Sequence, residues 1–261
     1  FNMILDDIVE KRKIQLEREK QKHSFEKIRE LAVNAENPCK DFYAALKGGN
    51  LSVISEVKKA SPSKSVIKED FHPVETAIAY EKAGADAISC LTEEHYFQGN
   101  SEYLASIRKN VSIPILRKDF IIDEYQIYEA RVIGADAVLL IAAILDTDTM
   151  LRFKNTAENL GMNCLFEAHN KEELDSILKC SPKIVGINNR NLKTFEVSLD
   201  NTAKLSRYVP DECVLVSESG IASHEDMKKV RESGADAVLI GETLMRSGNI
   251  ADTMKMLREG L

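Results

Sequence analysis

Gly84-Ala-Asp-Ala87 is the stretch that decides the fold, because the same four residues return at Gly134–Ala137 and Gly234–Ala237. Each copy closes a helix-like stretch and opens a short apolar run. Glycine suits the left-handed position just past a helix C-terminus, and the next strand begins at once. The copies stand 50 and then 100 residues apart. That spacing fits two strand–helix units, or a multiple of two, at about 25 residues per unit, enough for a strand, a helix and short connections.

Working outward from the repeat, eight runs are near-continuously apolar: Ser52–Val57, Asp86–Leu91, Pro114–Arg117, Ala137–Ile141, Asn163–Phe166, Ile184–Ile187, Val214–Ser217 and Ala237–Ile240. Such runs mark parallel strands covered on both faces. Amphipathic segments lie between them. Asp123, Asp146 and Ser223 each precede one such segment, with a glycine behind it, the pattern of a capped helix. Strict alternation with eight strands predicts an α/β fold, a closed (β/α)8 TIM barrel, in place of an open doubly wound sheet. No Gly-x-Gly-x-x-Gly opens a helix, which argues against a dinucleotide-binding sheet.

Residues 1–50 precede the barrel at 51–261 and read as a helical N-terminal extension of one TIM-barrel domain spanning 1–261. Ile4, Leu5, Ile8 and Val9 share one stripe of a first helix. Ser24 caps a second segment, Asn37-Pro38 breaks it, and Asp41 starts a short third helix. The extension is too small to bury a core of its own, so its stripe is expected to cover the barrel and shape the site.

Composition narrows the function. With 35 Lys and Arg against 42 Asp and Glu, the net charge is 35 − 42 = −7 in 261 residues. A net-negative chain is poorly suited to wrapping nucleic acid or lying on an anionic membrane. No apolar run approaches the roughly 20 residues that span a bilayer. The N-terminal stretch lacks the apolar core of a secretory signal. The cysteines are Cys39, Cys90, Cys164, Cys180 and Cys213, an odd number without a Cys-x-x-Cys pair. They read as reduced thiols of a cytoplasmic protein. The histidines form no His-x-His or His-Glu-x-x-His motif. His169 follows Glu167 by two, half a metal site at most, and reads as a loop histidine at the barrel rim. No metal is expected.

A barrel carries its chemistry at the C-terminal ends of its strands. In the first run Glu56 and Lys58 share a face, costly inside a barrel unless paired or used. Ser61-Pro62-Ser63 then turns into a loop. The third run ends on Lys118, read as a proton donor, a Schiff-base amine or an anion clamp. Glu167 ends the fifth run. Asn188 and Arg190 follow the sixth, Glu218, Ser219 and Gly220 the seventh, and Gly241, Glu242 and Thr243 the eighth. Gly220 and Gly241 let an anion approach backbone N–H groups in the last two loops, the usual phosphate site of this architecture.

Seven stretches, SEVKKASPS, SCLTEEHYF, ILRKDFIIDEYQI, LFEAHN, GINNRNL, VSESGI and VLIGETLM, occur in an order that resembles the indole-3-glycerol phosphate synthase family over nearly the whole chain. One departure is visible: the family usually has Gly after Ser-Pro-Ser-Lys, and this chain has Ser65. The resemblance implies a lyase of tryptophan biosynthesis. Its substrate would be 1-(o-carboxyphenylamino)-1-deoxyribulose 5-phosphate, and its steps ring closure, loss of CO₂ and loss of water. It implies Lys118 as the general acid of ring closure and Glu167 as the base of dehydration. Lys58 matches a second cation that holds the carboxylate and donates a proton during dehydration, and Glu56 its partner, which orients the substrate. Asn188 and Glu218 correspond to polar groups on the sugar hydroxyls or anilino nitrogen, and Arg190 to a residue near the carboxylate. Ser61, Ser219, Gly220, Gly241 and Glu242 match phosphate or sugar positions, Glu242 through its backbone N–H because its carboxylate repels phosphate. Phe97, Leu91 and Leu192 are candidates for an apolar slot around the benzene ring. No cofactor is implied, because the closed ring forms an iminium that accepts the electrons released with CO₂. The implied partner is a phosphorylated small molecule, with no nucleic acid and no membrane. The resemblance leaves room for transient contact with other tryptophan-pathway enzymes.

Overall fold

A computed structural model describes residues 3–261. Three helices come first, α1 (Met3–Lys22), α2 (Phe25–Val33) and α3 (Phe42–Leu46). Strand β1 (Ser52–Val57) leads into a small antiparallel hairpin, β2 (Ala60–Ser61) with β3 (Ser65–Val66), and then α4 (Pro73–Lys82). The alternation continues with β4 (Ala87–Leu91), α5 (Ser101–Arg108), β5 (Ile115–Lys118), α6 (Glu124–Ile133), β6 (Ala137–Ile141) and α7 (Thr147–Asn159). It proceeds through β7 (Asn163–Ala168), α8 (Lys171–Leu178), β8 (Ile184–Asn188), α9 (Asp200–Ser206), β9 (Val214–Glu218) and α10 (His224–Glu232). The chain ends with β10 (Ala237–Ile240), the one-turn α11 (Glu242–Met245) and α12 (Ile250–Arg258).

Strands β1 and β4 to β10 form a closed parallel barrel in which β10 pairs with β1. This is the expected (β/α)8 architecture. Alternate residues point inward. Ile54, Ala87, Leu116, Leu139, Leu165 and Val216 fill the interior. Phe42 and Leu46 of α3 join that cluster with no exposed surface, so the third helix plugs the barrel floor. The opposite strand faces meet the surrounding helices in a second, larger cluster.

Local chemistry sets the element ends. Asp123, Asp146 and Ser223 accept backbone N–H bonds at the starts of α6, α7 and α10, and Ser24 and Asp41 do so for α2 and α3. The repeat glycines hold φ of 90°, 97° and 97° at Gly84, Gly134 and Gly234. The repeat's aspartate has a function that the spacing does not reveal. Asp86, Asp136 and Asp236 accept from the backbone N–H of Val53, Ile115 and Leu215, each at 2.8 Å. Each ties a loop to the start of the neighbouring strand.

Several strand bounds differ from the apolar runs. Strands β4 and β5 start one residue later, at Ala87 and Ile115. At the other end β5 takes in Lys118, β7 Glu167 and Ala168, β8 Asn188, and β9 Glu218. Apolarity stops at these polar residues, but backbone pairing does not. Leu91 pairs with Lys118, Ile141 with Glu167, and Asn188 with Glu218 in the ladder. The polar side chains therefore start from rigid strand backbone.

Helix α1 lies beside the mouth. Leu16 packs with Ile28 of α2 and Tyr125 of α6. Arg12, without exposed surface, donates to Asp119 Oδ1 at 2.8 Å and to Glu19 at 3.1 Å. Asp119 also accepts from Thr92 Oγ1 at 2.5 Å and lies 3.4 Å from the buried Arg117.

Candidate active site

All thirteen residues singled out in the sequence line one cavity of about 600 Å³ at the C-terminal ends of the strands. Leu91 and Leu192 line it too, with Ile4, Leu5 and Ile8 of α1. The expected stripe thus walls the site with three of its four residues. Phe97 and Phe120 meet with ring centroids 5.9 Å apart, which makes one side of the cavity aromatic. The buried Glu93 holds this rim by accepting from the backbone N–H groups of His95, Tyr96 and Phe97 at 2.8, 2.8 and 2.9 Å. Sequence reading passed over Glu93, because a carboxylate that organises its own loop looks like any surface acid.

Three charged groups meet at the first and third expected strand ends. Glu56 Oε2 accepts from Lys118 Nζ at 3.1 Å and from Ser89 Oγ at 2.9 Å. Glu56 Oε1 lies 3.3 Å from Lys58 Nζ. Burial pushes the Glu56 carboxyl up, but Lys118 and Lys58 outweigh it and hold it down at about 2. Burial works against the Lys118 ammonium, yet Glu56, Glu218 and Glu167 raise it above the usual lysine range. Gly241 sits directly on this cluster: a Cβ there would lie 3.0 Å from Glu56 Oε1 and 3.1 Å from Lys58 Nζ.

Across the cavity two acids share a site. Glu167 pairs with Gly186 in the ladder, and a Cβ on Gly186 would fall 2.0 Å from Glu218 Oε1. The Glu218 carboxyl therefore occupies the space over Gly186, beside Glu167. Burial and the neighbouring Glu167 charge raise Glu218 well above the usual carboxyl range. Glu167 stays below its usual range: burial opposes its charge, but His169, a hydrogen bond from Glu218, Lys118 and Asn188 outweigh it. Two adjacent carboxyls cannot both ionise cheaply, so Glu218 holds the proton and Glu167 the charge. Asn188 Nδ2 lies 3.4 Å from Glu167 Oε1, and Ser219 Oγ donates to Asn188 Oδ1 at 2.9 Å. Arg190 donates its backbone N–H to Asn188 Oδ1 at 3.0 Å and its guanidinium to the Phe195 carbonyl at 3.2 Å.

The β9 and β10 loops close the far end. Ser219 and Gly220 are consecutive left-handed residues, φ 71° and 87°. At Gly220 a side chain would also strike Val197, with a Cβ 2.4 Å from its Cγ1. The Glu242 carboxylate turns to Arg246 Nε at 3.1 Å and faces Lys64 Nζ at 3.9 Å. Lys64 and Arg246 also line the cavity. They are two cations near the glycine loops that the sequence reading did not select, since neither ends an apolar run.

His169 follows β7 at the barrel rim, with its ring against Glu167. Its Nε2 lies 3.4 Å from Glu167 Oε1 and its Nδ1 3.1 Å from Glu173 Oε2. Among the described residues no group of three or more His, Cys, Asp or Glu is arranged to hold a metal ion, and no helix is long and apolar enough to cross a membrane.

An eight-stranded parallel barrel with ammonium and carboxyl groups at its mouth, beside glycine loops flanked by cations, defines an acid–base enzyme of the phosphate-handling barrel class. The sequence model of the indole-3-glycerol phosphate synthase family matches residues 5–257. The chain belongs to the indole-3-glycerol phosphate synthase family, lyases of tryptophan biosynthesis. It is 51% identical over 258 residues to indole-3-glycerol phosphate synthase of Endomicrobium trichonymphae, covering 98% of this chain and 100% of the relative. Against the synthase of Ruminiclostridium cellulolyticum the identity is 50%, covering 98% and 99%. Among solved structures, N-acetylmannosamine-6-phosphate 2-epimerase from Clostridium perfringens superposes with TM-score 0.63 at 14% identity, covering 82% of this chain and 94% of that one. Thiamine phosphate pyrophosphorylase from Pyrococcus furiosus gives 0.59 at 17%, covering 82% and 96%. At such identities the likeness is one of fold.

Proposed function

We propose that this cavity converts 1-(o-carboxyphenylamino)-1-deoxyribulose 5-phosphate into indole-3-glycerol phosphate, with Lys118, Lys58 and Glu167 moving the protons. The observation that carries the reading is the convergence on one cavity of two lysines on one buried carboxylate, two adjoining carboxyls, an aromatic wall and a glycine-lined end.

Ring closure places negative charge on the ketone oxygen, and Lys118 supplies its proton. The new hydroxyl leaves as water after a second proton, from Lys58. Glu167 takes one proton from the ring carbon to complete the indole. Two protons in and one out leave a net uptake of one, which balances a substrate carboxylate that departs as neutral CO₂. Glu56 aims both lysines and is held near 2 by them, so it stays their charged partner. A Schiff-base enzyme needs a neutral amine, and Lys118 is held charged by carboxylates. Lys58 and Arg190 hold the substrate carboxylate, while Phe97, Leu91 and Leu192 clasp the benzene ring. Asn188 and Glu218 contact the sugar hydroxyls or the anilino nitrogen. Ser61, Ser219, Gly220, Gly241 and the Glu242 N–H bind the phosphate and sugar end.

Free thiols at all five cysteines support a cytoplasmic location, and transient contact with neighbouring pathway enzymes is compatible with an open barrel mouth. The test is rapid-quench analysis with CO₂ release followed separately from indole formation. Lys118→Ala should slow both by about 10²–10⁴-fold, because its step precedes CO₂ loss. Glu167→Gln should release CO₂ faster than it forms indole. Equal rates of the two in Glu167→Gln would remove Glu167 from the dehydration step.

A further inference from the structure

The Glu167–Glu218 pair has unequal surroundings. Neither buried Glu218 oxygen meets a hydrogen-bond donor among the described side chains. Glu167 Oε1 faces Asn188 Nδ2 and His169 Nε2, both at 3.4 Å. Among the described residues buried Nε2 has no other partner in reach. The rest of His169 is held firmly. Its backbone N–H donates to Glu173 Oε2 at 2.7 Å, its ring Nδ1 lies 3.1 Å from the same oxygen, and its carbonyl accepts from Asn201 Nδ2 at 3.0 Å.

Part of this is a helix start. Asn170 caps α8, and Glu173, in its first turn, reaches back to the chain before it. Capping explains the bond to the His169 N–H. It does not explain why the ring is buried with its far nitrogen turned to a carboxylate of the mouth. A ring fixed at Nδ1 by one acid and presenting Nε2 to another is how an imidazole is aimed at a reacting group.

We propose that His169, aimed by Glu173, is a positioning residue that keeps Glu167 the ionised member of the Glu167–Glu218 pair and leaves the shared proton on Glu218. The proposal rests on the reading of Glu167 as the dehydration base. Without an asymmetric partner, two buried carboxyls side by side divide one proton between them, and Glu167 is then protonated part of the time. A cation against Glu167 alone ends that ambiguity. Burial disfavours the imidazolium, but Glu173 and Glu167 outweigh it and raise His169 above its ordinary value.

The groups that bear on this titration are few. Glu167 of β7 and Glu173 of α8 face the ring directly. Asn188, Lys118 and Glu218 act through Glu167. Arg190, Lys193, Glu196 and Lys204 line a second cavity of about 410 Å³ that His169 also lines.

The experiment measures kcat and KM against pH for the full chain and for His169→Gln, Glu173→Gln, Glu218→Gln and the His169→Gln/Glu218→Gln double variant, with thermal unfolding of each. Loss of the imidazolium makes Glu167 easier to protonate, so the acid limb of kcat should move to higher pH in His169→Gln. The plateau should fall about twofold or more as Glu167 comes to carry the shared proton part of the time, with KM within about threefold of the parent. Glu173→Gln should shift the limb in the same direction by less, and it carries the test if His169→Gln does not fold. In the Glu218→Gln background there is no shared proton, so removing His169 should move the limb less than it does alone. An unmoved limb in both His169→Gln and Glu173→Gln would overturn the proposal and leave His169 a packing residue. Full kcat in Glu167→Gln would overturn the reading beneath it, a separate and recognisable outcome.

Discussion

Glu56 carries two lysines on one buried carboxylate, and that arrangement has a pH signature. Its carboxyl is lowered from an ordinary 4.5 to about 2. A depressed acid stabilises the fold above its unfolded value and loses that contribution as pH falls through the folded one. The window is therefore pH 4.5 down to about 2. The stabilisation at stake is of order 3 kcal/mol. Denaturant unfolding of wild type and Glu56→Gln between pH 3 and 7 should show the wild type losing stability steeply on the acid side and the variant losing less. Parallel curves would mean that other carboxylates dominate acid unfolding. Ser65 offers a second residue-scale test. It holds φ at 53°, in the left-handed region that glycine fills most readily. A side chain in the left-handed region costs roughly 1–2 kcal/mol, partly offset in glycine by backbone entropy. Ser65→Gly should raise stability by about 0.5–1 kcal/mol, roughly 1–4 °C in Tm. A lower Tm in a calorimetric scan would show that the Ser65 side chain contributes more than its backbone strain.

At the scale of elements, α1 is the part whose role reaches furthest beyond its own residues. Its Arg12 is tied to Asp119, the residue after Lys118, while Ile4, Leu5 and Ile8 wall the cavity. Breaking a buried ion pair from one side typically costs about 3–5 kcal/mol, so Arg12→Ala should lower stability by that order, read from urea unfolding. Deleting residues up to Lys22 removes the apolar wall but leaves the barrel ladder intact. The truncated chain should fold, with KM raised roughly tenfold or more, the effect of about 1.4 kcal/mol of lost apolar contact. An unchanged KM would make α1 a cover without influence on the substrate. What the sequence revealed about elements follows the same physics. The barrel was legible because Gly-Ala-Asp-Ala marks helix ends and apolar runs mark covered strands. The hairpin of β2 and β3 was not, since two-residue strands have no period to read, and Ser61-Pro62-Ser63 looked like plain loop. Strand-end residues such as Lys118 and Glu218 were legible because a charge closing an apolar run is conspicuous. His169, Lys64 and Arg246 were not, because each acquires its place at the site only when the barrel closes, and Glu93 was not, because a carboxylate that organises its own loop looks like any surface acid.

Across the whole molecule the two ends of the barrel divide stability from chemistry. At the floor, Asp136 accepts from the N–H groups of Ile115 and Lys40 at 2.8 and 2.7 Å and from Arg108 Nη1 at 2.6 Å. All three of these bonds serve the fold. Asp136→Ala should cost about 3 kcal/mol by stranding those donors and leave kcat unchanged in whatever fraction is folded. At the mouth the reverse holds. Glu218 is buried, with no donor for either oxygen among the described residues, and sits against the charge of Glu167. An acid whose folded value is raised keeps its proton above pH 4.5, where the unfolded chain has lost its own, so this group makes the fold less stable as pH rises from 4.5 toward the folded value. The sign is opposite to that of Glu56. Glutamine keeps the shape, offers an N–H to Glu167 as the protonated acid does, and never ionises. Glu218→Gln should therefore unfold at a higher temperature than wild type at neutral and alkaline pH, with the gap closing below about pH 4.5, where the acid is neutral in both folded and unfolded chains. The same substitution should lower kcat, since it takes the titrating proton out of the acid pair. Sites that bind and turn over substrate commonly sit below the stability their scaffold could reach. Scanning calorimetry from pH 4 to 9 on both proteins decides the matter: equal Tm throughout, or a less stable variant at pH 8, would mean that the buried carboxyl is accommodated without strain.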